Sequence, residues 1–351
     1  MEFYIKAASY ITYTSELYVL RCILPYREIN IKRNEMLNSV YTWLVTGGAG
    51  FIGSHIVREL LHQGQNVRVL DNLSSGRLEN LACIEDKIQL VNADICDYKA
   101  ILPAFQGTDY VLHHAALVSV PQSIKEPLNT YRMNVHGTAS VLEAARNSGV
   151  KRLVFACSCA IYGNGTELPY RETSAMDCQS PYALSKQMGR ELCREYTRLY
   201  GLDTVSLIYF NVFGPNQNAD SPYSAVIAKF MQSAVQNKPL CIDWDGRQSR
   251  DFIHVRDIVR ANILAAIKGT PGESYNVASG ETHSLLELVD MLDGITGRKL
   301  PRVFRPKRAG DIKISAANTE KIRALGFKPE VSLEDGLREM FALLTQKKIT
   351  G

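Results

Sequence analysis

Tyr41-Thr42-Trp43-Leu44-Val45-Thr46-Gly47-Gly48-Ala49-Gly50-Phe51-Ile52-Gly53-Ser54 is a strand-like run of apolar and β-branched residues that breaks into glycines at 47, 50 and 53. A helical pattern follows over Ser54–Gln63. Glycines at this spacing permit a tight turn, let the backbone approach a pyrophosphate, and let the helix pack close on the strand, while the helix N-terminus faces the anion. The motif has both contexts that give it meaning, a strand before it and a helix after it. The next strand-like run, Asn66–Leu70, ends in Asp71. A carboxylate there accepts hydrogen bonds from the adenosine ribose and repels a 2′-phosphate, so NAD is expected rather than NADP.

The alternation extends outward from this unit. Ile88–Val91, Tyr110–His113, Leu153–Ala156 and Thr204–Tyr209 read as further strands, with helices over Tyr98–Phe105, Asn134–Ser148 and Pro181–Tyr200. Strands and crossover helices in this order predict an α/β fold, a doubly wound parallel sheet of Rossmann type. The near-continuously apolar strands fit burial on both faces. After Phe210 the rhythm breaks, with a loop at 214–222, a helix near Ala225–Val235 and a last run of helices and short strands to about Leu344. We therefore expect a cofactor domain over 41–210, rejoined by parts of 250–280, and a smaller α/β substrate lobe over 211–351. Residues 1–40 show no clear period and read as an extension, with a helix around 26–36 or a working start near Met36.

Composition excludes other classes. Apolar residues make up 46% and charged residues 22%, so the chain is globular rather than disordered or fibrous. Lys and Arg exceed Asp and Glu by 40 to 36, and no basic run exceeds two residues, which argues against nucleic acid as a partner. No apolar stretch is long enough to span a membrane, and the start lacks a signal peptide's layout. The eight cysteines contain no CxxC pair, and the seven histidines no ligand-spaced cluster, so neither a disulfide scaffold nor a metal site is expected. The default compartment is cytoplasmic.

The spacing is GxxGxxG, and Thr46-Gly47-Gly48-Ala49-Gly50-Phe51-Ile52-Gly53 resembles the fingerprint of the extended short-chain dehydrogenase/reductases, many of which act on nucleotide sugars. The resemblance continues through Asp71-Asn72, Ala93-Asp94-Ile95, His114-Ala115-Ala116, Asn134, Tyr182-Lys186, Tyr209-Phe210-Asn211 and Arg250-Asp251-Phe252-Ile253-His254, from about Tyr41 to Leu344. It implies a tightly bound NAD touched by Gly47, Gly50, Phe51, Ile52, Gly53, Asp71 and Asn72. Asp94 and Ile95 would lie near the adenine, with Ala115, Ala116, Asn134 and Tyr209 also at the cofactor.

Tyr182 and Lys186 stand one turn apart on a predicted helix. They lie about 200° from the start of an apolar stripe formed by Leu184, Met188, Leu192, Tyr196 and Leu199, which is core or a subunit contact. An ammonium beside a phenol, with the positive charge of an oxidised nicotinamide, would draw the phenol pKa down toward neutrality. Upstream, Cys157-Ser158-Cys159-Ala160-Ile161-Tyr162-Gly163 matches the family's serine-rich segment, with Ser158 at the position of the hydroxyl that bridges substrate and Tyr182. Cys157 and Cys159 read as packing thiols. Dehydratases of the superfamily carry an Asp-Glu pair where this chain has Cys159 and Ala160, because eliminating water needs a separate acid and base. With Ser158, Tyr182 and Lys186 alone, the simplest chemistry is reversible oxidation at a sugar C4, that is, 4-epimerisation.

By the same resemblance Asn211, Arg250, Arg308 and Asp311 would hold uridine diphosphate, Arg suiting phosphate by its planar fork. The loop containing Ser119 and the segment Ala225-Val226 resemble substrate-side elements of epimerases that prefer N-acetylhexosamines. Ser315 stands where epimerases confined to non-acetylated hexoses carry a tyrosine, and a small side chain leaves room for a 2-acetamido group. The resemblance thus implies a homodimeric UDP-GlcNAc/UDP-GalNAc 4-epimerase with UDP-Glc/UDP-Gal as a second pair. Epimerases of uronic acids or pentoses, or a silent nucleotide sensor, remain as alternatives.

Overall fold

The computed structural model describes residues 37, 39–218, 225–307 and 312–350, with side chains to Gln346. The expected helix near 26–36 lies outside these residues. Six strands follow the predicted alternation: β1 (Thr42–Thr46), β2 (Asn66–Leu70), β3 (Ile88–Val91), β4 (Tyr110–His113), β5 (Arg152–Ser158) and β6 (Thr204–Tyr209). Later strands are β7 (Asn211–Phe213), β8 (Leu240–Asp243), β9 (Ser249–His254), β10 (Ser274–Val277), β11 (Thr282–Ser284), β12 (Arg302–Arg305) and β13 (Ile314–Ser315). The large sheet runs β10-β6-β5-β4-β1-β2-β3, with every pairing parallel. Strand order reverses between β1 and β4, where Thr46 lies in register with both Leu70 and His113. A doubly wound sheet opens a ligand crevice at this switch point, beyond the carboxyl ends of the strands.

Alternation along β1 explains the two faces. Trp43 and Val45 join one core with Ile56, Val57, Val69, Ile258 and Ala265, while Leu44 points into the opposite core with Phe105, Val141, Leu142, Phe155 and Cys193. A third core, centred on Phe213, Phe230, Met231, Ile242, Leu288 and Leu337, belongs to the C-terminal elements. There β9 pairs with β7, β11 and β13, and β8 with β12. The Val255–Lys268 helix leaves β9 and covers the first face of the large sheet.

Element boundaries depart from the sequence reading at informative places. The first helix opens at Phe51, not Ser54, because Gly50 itself is its N-cap. The stretch expected to start a helix at Asn134 is a π-turn, Arg132–His136, leading into an α-helix over Gly137–Asn147. The loop after Leu117 winds into two short helices, Val120–Lys125 and Pro127–Tyr131, each with proline in its first turn. Seven cysteines lie among the described residues: Cys83 is disulfide-bonded and six are free thiols.

Candidate active site

The glycine turn begins where β1 ends. Gly47 takes φ +69°, and a Cβ there would sit 2.7 Å from the Ala115 amide nitrogen, so the backbones of the turn and of Ala115 touch directly. At Gly53 a Cβ would lie 2.2 Å from the Gly47 carbonyl oxygen, which is why the helix can start against the turn. No side chain caps the N-terminus of the Phe51–His62 helix, and no acid occupies its first turn. Its free amides and positive dipole end are therefore left for an anion at the switch point. Phe51 and Ile52 are half-buried beside it.

Asp71, buried at the end of β2, accepts from the amide of Ala49 through Oδ2 (3.0 Å) and of Leu73 through Oδ1 (2.8 Å). Each oxygen keeps a lone pair for a diol. The turn, uncapped helix and anchored carboxylate together fit a dinucleotide. Asn72 turns its Oδ1 to Ser74. Asp94 accepts from the Cys96 amide and pairs with Arg132 at 3.2 Å, and Ile95 packs on Gly137, where a Cβ would come within 2.6 Å of it.

A hydrogen-bond relay not recognised from sequence ties this turn to the catalytic helix. Thr46 Oγ accepts from the amides of His114 (3.1 Å) and Ala115 (3.2 Å), so its one proton goes to His113 Nδ1 (2.7 Å). The ring must then carry its proton on Nε2, which donates to Thr138 (3.0 Å), and Thr138 donates to the Asn134 carbonyl (2.6 Å). Burial holds His113 neutral, well below its ordinary pKa. Asn134 accepts from the Leu117 amide (2.7 Å) and spends its amide protons on the Leu117 carbonyl and Ser185 Oγ, both at 2.9 Å; Ser185 donates to the Tyr182 carbonyl (2.7 Å). The Tyr209 hydroxyl donates to Asn262 (2.9 Å) and meets His114 Nε2 at 3.0 Å, so Tyr209 is held by buried polar neighbours. The only sequence signal for the relay is that Thr46 immediately precedes the glycines.

Ser158, Tyr182 and Lys186 come together at the carboxyl end of β5. Ser180 caps the Pro181–Tyr200 helix by accepting from the Ala183 amide at 3.1 Å, with proline at the first position. Tyr182, Ala183, Ser185, Lys186, Gly189 and Cys193 form the buried side of that helix. Gly189 lets it approach the sheet, since a Cβ there would meet the Phe155 ring at 2.5 Å. Ser158 lies beside the Tyr182 phenol and accepts from the Ala160 amide (3.2 Å). Lys186 Nζ donates to the Ala156 carbonyl at 2.8 Å and lies 5.1 Å from the Phe155 ring centre. Burial pulls the Lys186 ammonium down to about 8. Burial pushes the Tyr182 pKa up, and the neighbouring Ser158 opposes this only in part; the lowering expected from sequence draws on the charge of an oxidised nicotinamide as well.

Substrate-side candidates are more scattered. Ser119 caps the short Val120–Lys125 helix by accepting from the Gln122 amide (3.1 Å). Asn211 donates to the Asp251 carbonyl (2.9 Å). Ala225 and Val226 open the Val226–Gln236 helix. Arg250 stands on β9 in register with Ser315 on β13 and donates to the Ser249 carbonyl (2.9 Å). Ser315 is buried, near enough to the Cys159 thiol to act on it. Arg308 and Asp311 lie outside the described residues. Among the described residues no helix is long and apolar enough to cross a membrane.

The same architecture recurs in characterised proteins. A UDP-glucose 4-epimerase of Mycolicibacterium smegmatis is 36% identical over 310 residues, 87% of this chain and 98% of that one. The structure of a UDP-N-acetylglucosamine 4-epimerase from Methanobrevibacter ruminantium M1, in complex with UDP-N-acetylmuramic acid, is 36% identical with a TM-score of 0.85, covering 88% of this chain and 99% of its own. A Thermus thermophilus UDP-glucose 4-epimerase in complex with NAD is 35% identical with a TM-score of 0.79, covering 86% and 98%. The family model for NAD-dependent epimerases and dehydratases matches residues 43–278, from β1 through the glycine turn and Tyr182 to the end of the large sheet. NAD is therefore the cofactor, and the chain belongs to the NAD-dependent epimerase/dehydratase family of extended short-chain dehydrogenase/reductases.

Proposed function

We propose that this chain is a 4-epimerase of UDP-hexoses, interconverting UDP-GlcNAc with UDP-GalNAc and, as a second pair, UDP-Glc with UDP-Gal. The observation that carries the reading is the juxtaposition of Ser158 and the Tyr182 phenol at the end of β5, with Lys186 one helical turn on and Cys159 and Ala160 next along the chain. A phenol and hydroxyl in contact can take and return one proton at a sugar hydroxyl. The Cys159 thiol, pushed up to about 12 by burial, and Ala160 offer no second acid-base pair for eliminating water. NAD, when bound, supplies the acceptor and donor of the C4 hydride. Tyr182 removes the proton from the 4-hydroxyl through Ser158, and the sugar becomes a 4-ketone. Its rotation presents the other face, and Tyr182 returns the proton. Burial works against the Tyr182 phenolate, so the offsetting charge comes from Lys186 and the oxidised nicotinamide together. Asn211 and Arg250, with Arg308 and Asp311, are proposed to grip the nucleotide, and Ser315 to admit the 2-acetamido group. The M. ruminantium structural relative supports the acetylated substrate, and the M. smegmatis relative the non-acetylated one.

Proton NMR of the purified protein with UDP-GlcNAc, and separately with UDP-Glc, tests the reading. Without added cofactor we expect the galacto epimer from both, which also reports tightly held NAD. Tyr182→Phe should lower turnover by about 10²- to 10⁴-fold while nucleotide binding persists. No epimer from either sugar, even after NAD is added, rejects the proposal.

A further inference from the structure

We propose that Asp251 is a positioning residue for the nucleotide, pinning Arg250 of β9 and Asn211 of β7 to the end of the large sheet. The assignment rests on the nucleotide grip given to Asn211 and Arg250 above. Asp251 is fully buried on β9, the strand to which β7, β11 and β13 all pair. Its carboxylate reaches out of that sheet to the turn after β10, the edge strand of the large sheet. Oδ1 accepts from the Ser279 amide (2.8 Å) and hydroxyl (2.7 Å), and Oδ2 from the Gly280 amide (2.9 Å). Gly280 takes φ +88°, and two successive amides converge on one carboxylate. The turn is rooted in the large sheet, since the Phe210 amide, just past β6, donates to the Val277 carbonyl at 3.1 Å. Asp251 is also held by its main chain, its carbonyl accepting from Asn211 Nδ2 at 2.9 Å.

These bonds set a distance that the reaction uses. Ser158 lies in register with Tyr209 at the end of β6, and Asn211 follows two residues later. Asp251 thus ties β9 to the same strand end from which Ser158 is placed, and Arg250, its chain neighbour, moves with it. The partners also call for a charge. Both amides can only donate, and the Ser279 hydroxyl, which accepts from the Glu281 amide at 3.1 Å, has its proton to give. A carboxylate accepts from all three, whereas an asparagine would set an N–H against one of them. Burial pushes the Asp251 carboxyl up to about 6 against those three donors, so the charge is held at a cost that packing alone does not require.

The test uses the NAD-loaded protein with UDP-Glc and UDP-GlcNAc, measuring Kd by calorimetry and KM and kcat by proton NMR. Asp251→Asn should raise Kd and KM about tenfold, with kcat within about threefold and retained NAD unchanged. Both sugars should lose by the same factor, because the grip is on the nucleotide they share. Ser279→Ala, a milder change, should weaken both about threefold and decides alone if Asp251→Asn does not fold. Unchanged Kd in the folded variants, a loss confined to one sugar, or a fall in kcat and retained NAD alongside KM overturns the proposal. If the unsubstituted protein binds the UDP-sugars without epimerising them, the epimerase reading fails and Kd still decides this inference. Failure to bind either UDP-sugar rejects both.

Discussion

Lys186 shows how the site sets catalysis against stability at a single residue. Its ammonium is buried, with the Ala156 carbonyl as hydrogen-bond partner, and burial lowers its pKa to about 8. The unfolded chain still binds that proton up to about pH 10.4. Below pH 8 both states are protonated and the folded state carries the full desolvation penalty. Between about 8 and 10.4 the penalty is progressively relieved, so stability rises with pH across that window. Lys186→Met should therefore raise the melting temperature of cofactor-stripped protein at pH 7, by an energy on the order of 2–3 kcal/mol, while turnover is lost. The gain should shrink toward pH 10.4. A melting temperature that falls at pH 7 would show that Lys186 is a net structural asset.

Between elements, the relay from Thr46 through His113, Thr138 and Asn134 to Ser185 joins the end of β1 to the Pro181–Tyr200 helix. Thr46→Val keeps the shape and leaves the Ala115 amide and the His113 ring without their partner, while the His114 amide keeps the Thr46 carbonyl at 3.1 Å. Unsatisfied buried groups cost about 1–3 kcal/mol each, so a loss of at least ~2 kcal/mol and of retained NAD is expected. Thermal denaturation and the absorbance of cofactor released on unfolding measure the two. Unchanged stability would mean that water replaces the hydroxyl. The outer side of the same helix carries Leu184 and Met188, each 41% exposed, beside Val120, Ile124 and Leu128 on the preceding short helices. The sequence left this stripe as core or subunit contact, and exposure removes core for Leu184 and Met188. We propose that it meets a second copy. Sedimentation should then give a dimer that Leu184→Glu/Met188→Glu converts to a folded monomer, and a wild-type monomer would reject this.

For the whole molecule, burial ties folding to pH through four histidines. His55 and His114 are lowered to about 4 and His254 to about 3, all chiefly by burial, and His113 is also held well below its ordinary value. They join separate parts: His55 bonds the Pro215 carbonyl at 2.9 Å, and His254 lies 3.5 Å from Glu339 of the last helix. Neutral in the folded state, each would protonate near 6.5 when unfolded. Their contribution is complete above pH 6.5 and is lost as pH falls from there toward 4, at up to about 1.4 kcal/mol per unit for each. Denaturant titrations between pH 7 and 5 should report uptake of about three to four protons on unfolding from these groups. A flat stability profile over that range would mean the rings are solvated.

Local order determined much that could be read from the sequence. Near-continuously apolar runs alternating with helical ones specify a parallel sheet, and glycines at 47, 50 and 53 between strand and helix specify an anion-binding turn by backbone sterics alone. Asp71 could be singled out because it ends the strand after that turn, and Tyr182 with Lys186 because they stand one helical turn apart in a segment resembling the family's. Tertiary structure decided the rest, since side chains far apart in sequence meet only when strand order is set. Thr46 reaches His113 because β1 and β4 are adjacent, and Ser315 comes into register with Arg250 because β13 pairs with β9. Local pattern also could not supply burial. That is why burial's upward push on the Tyr182 phenol was not legible, and why histidines that form no ligand-spaced cluster prove to include buried, neutral links in the frame of the site.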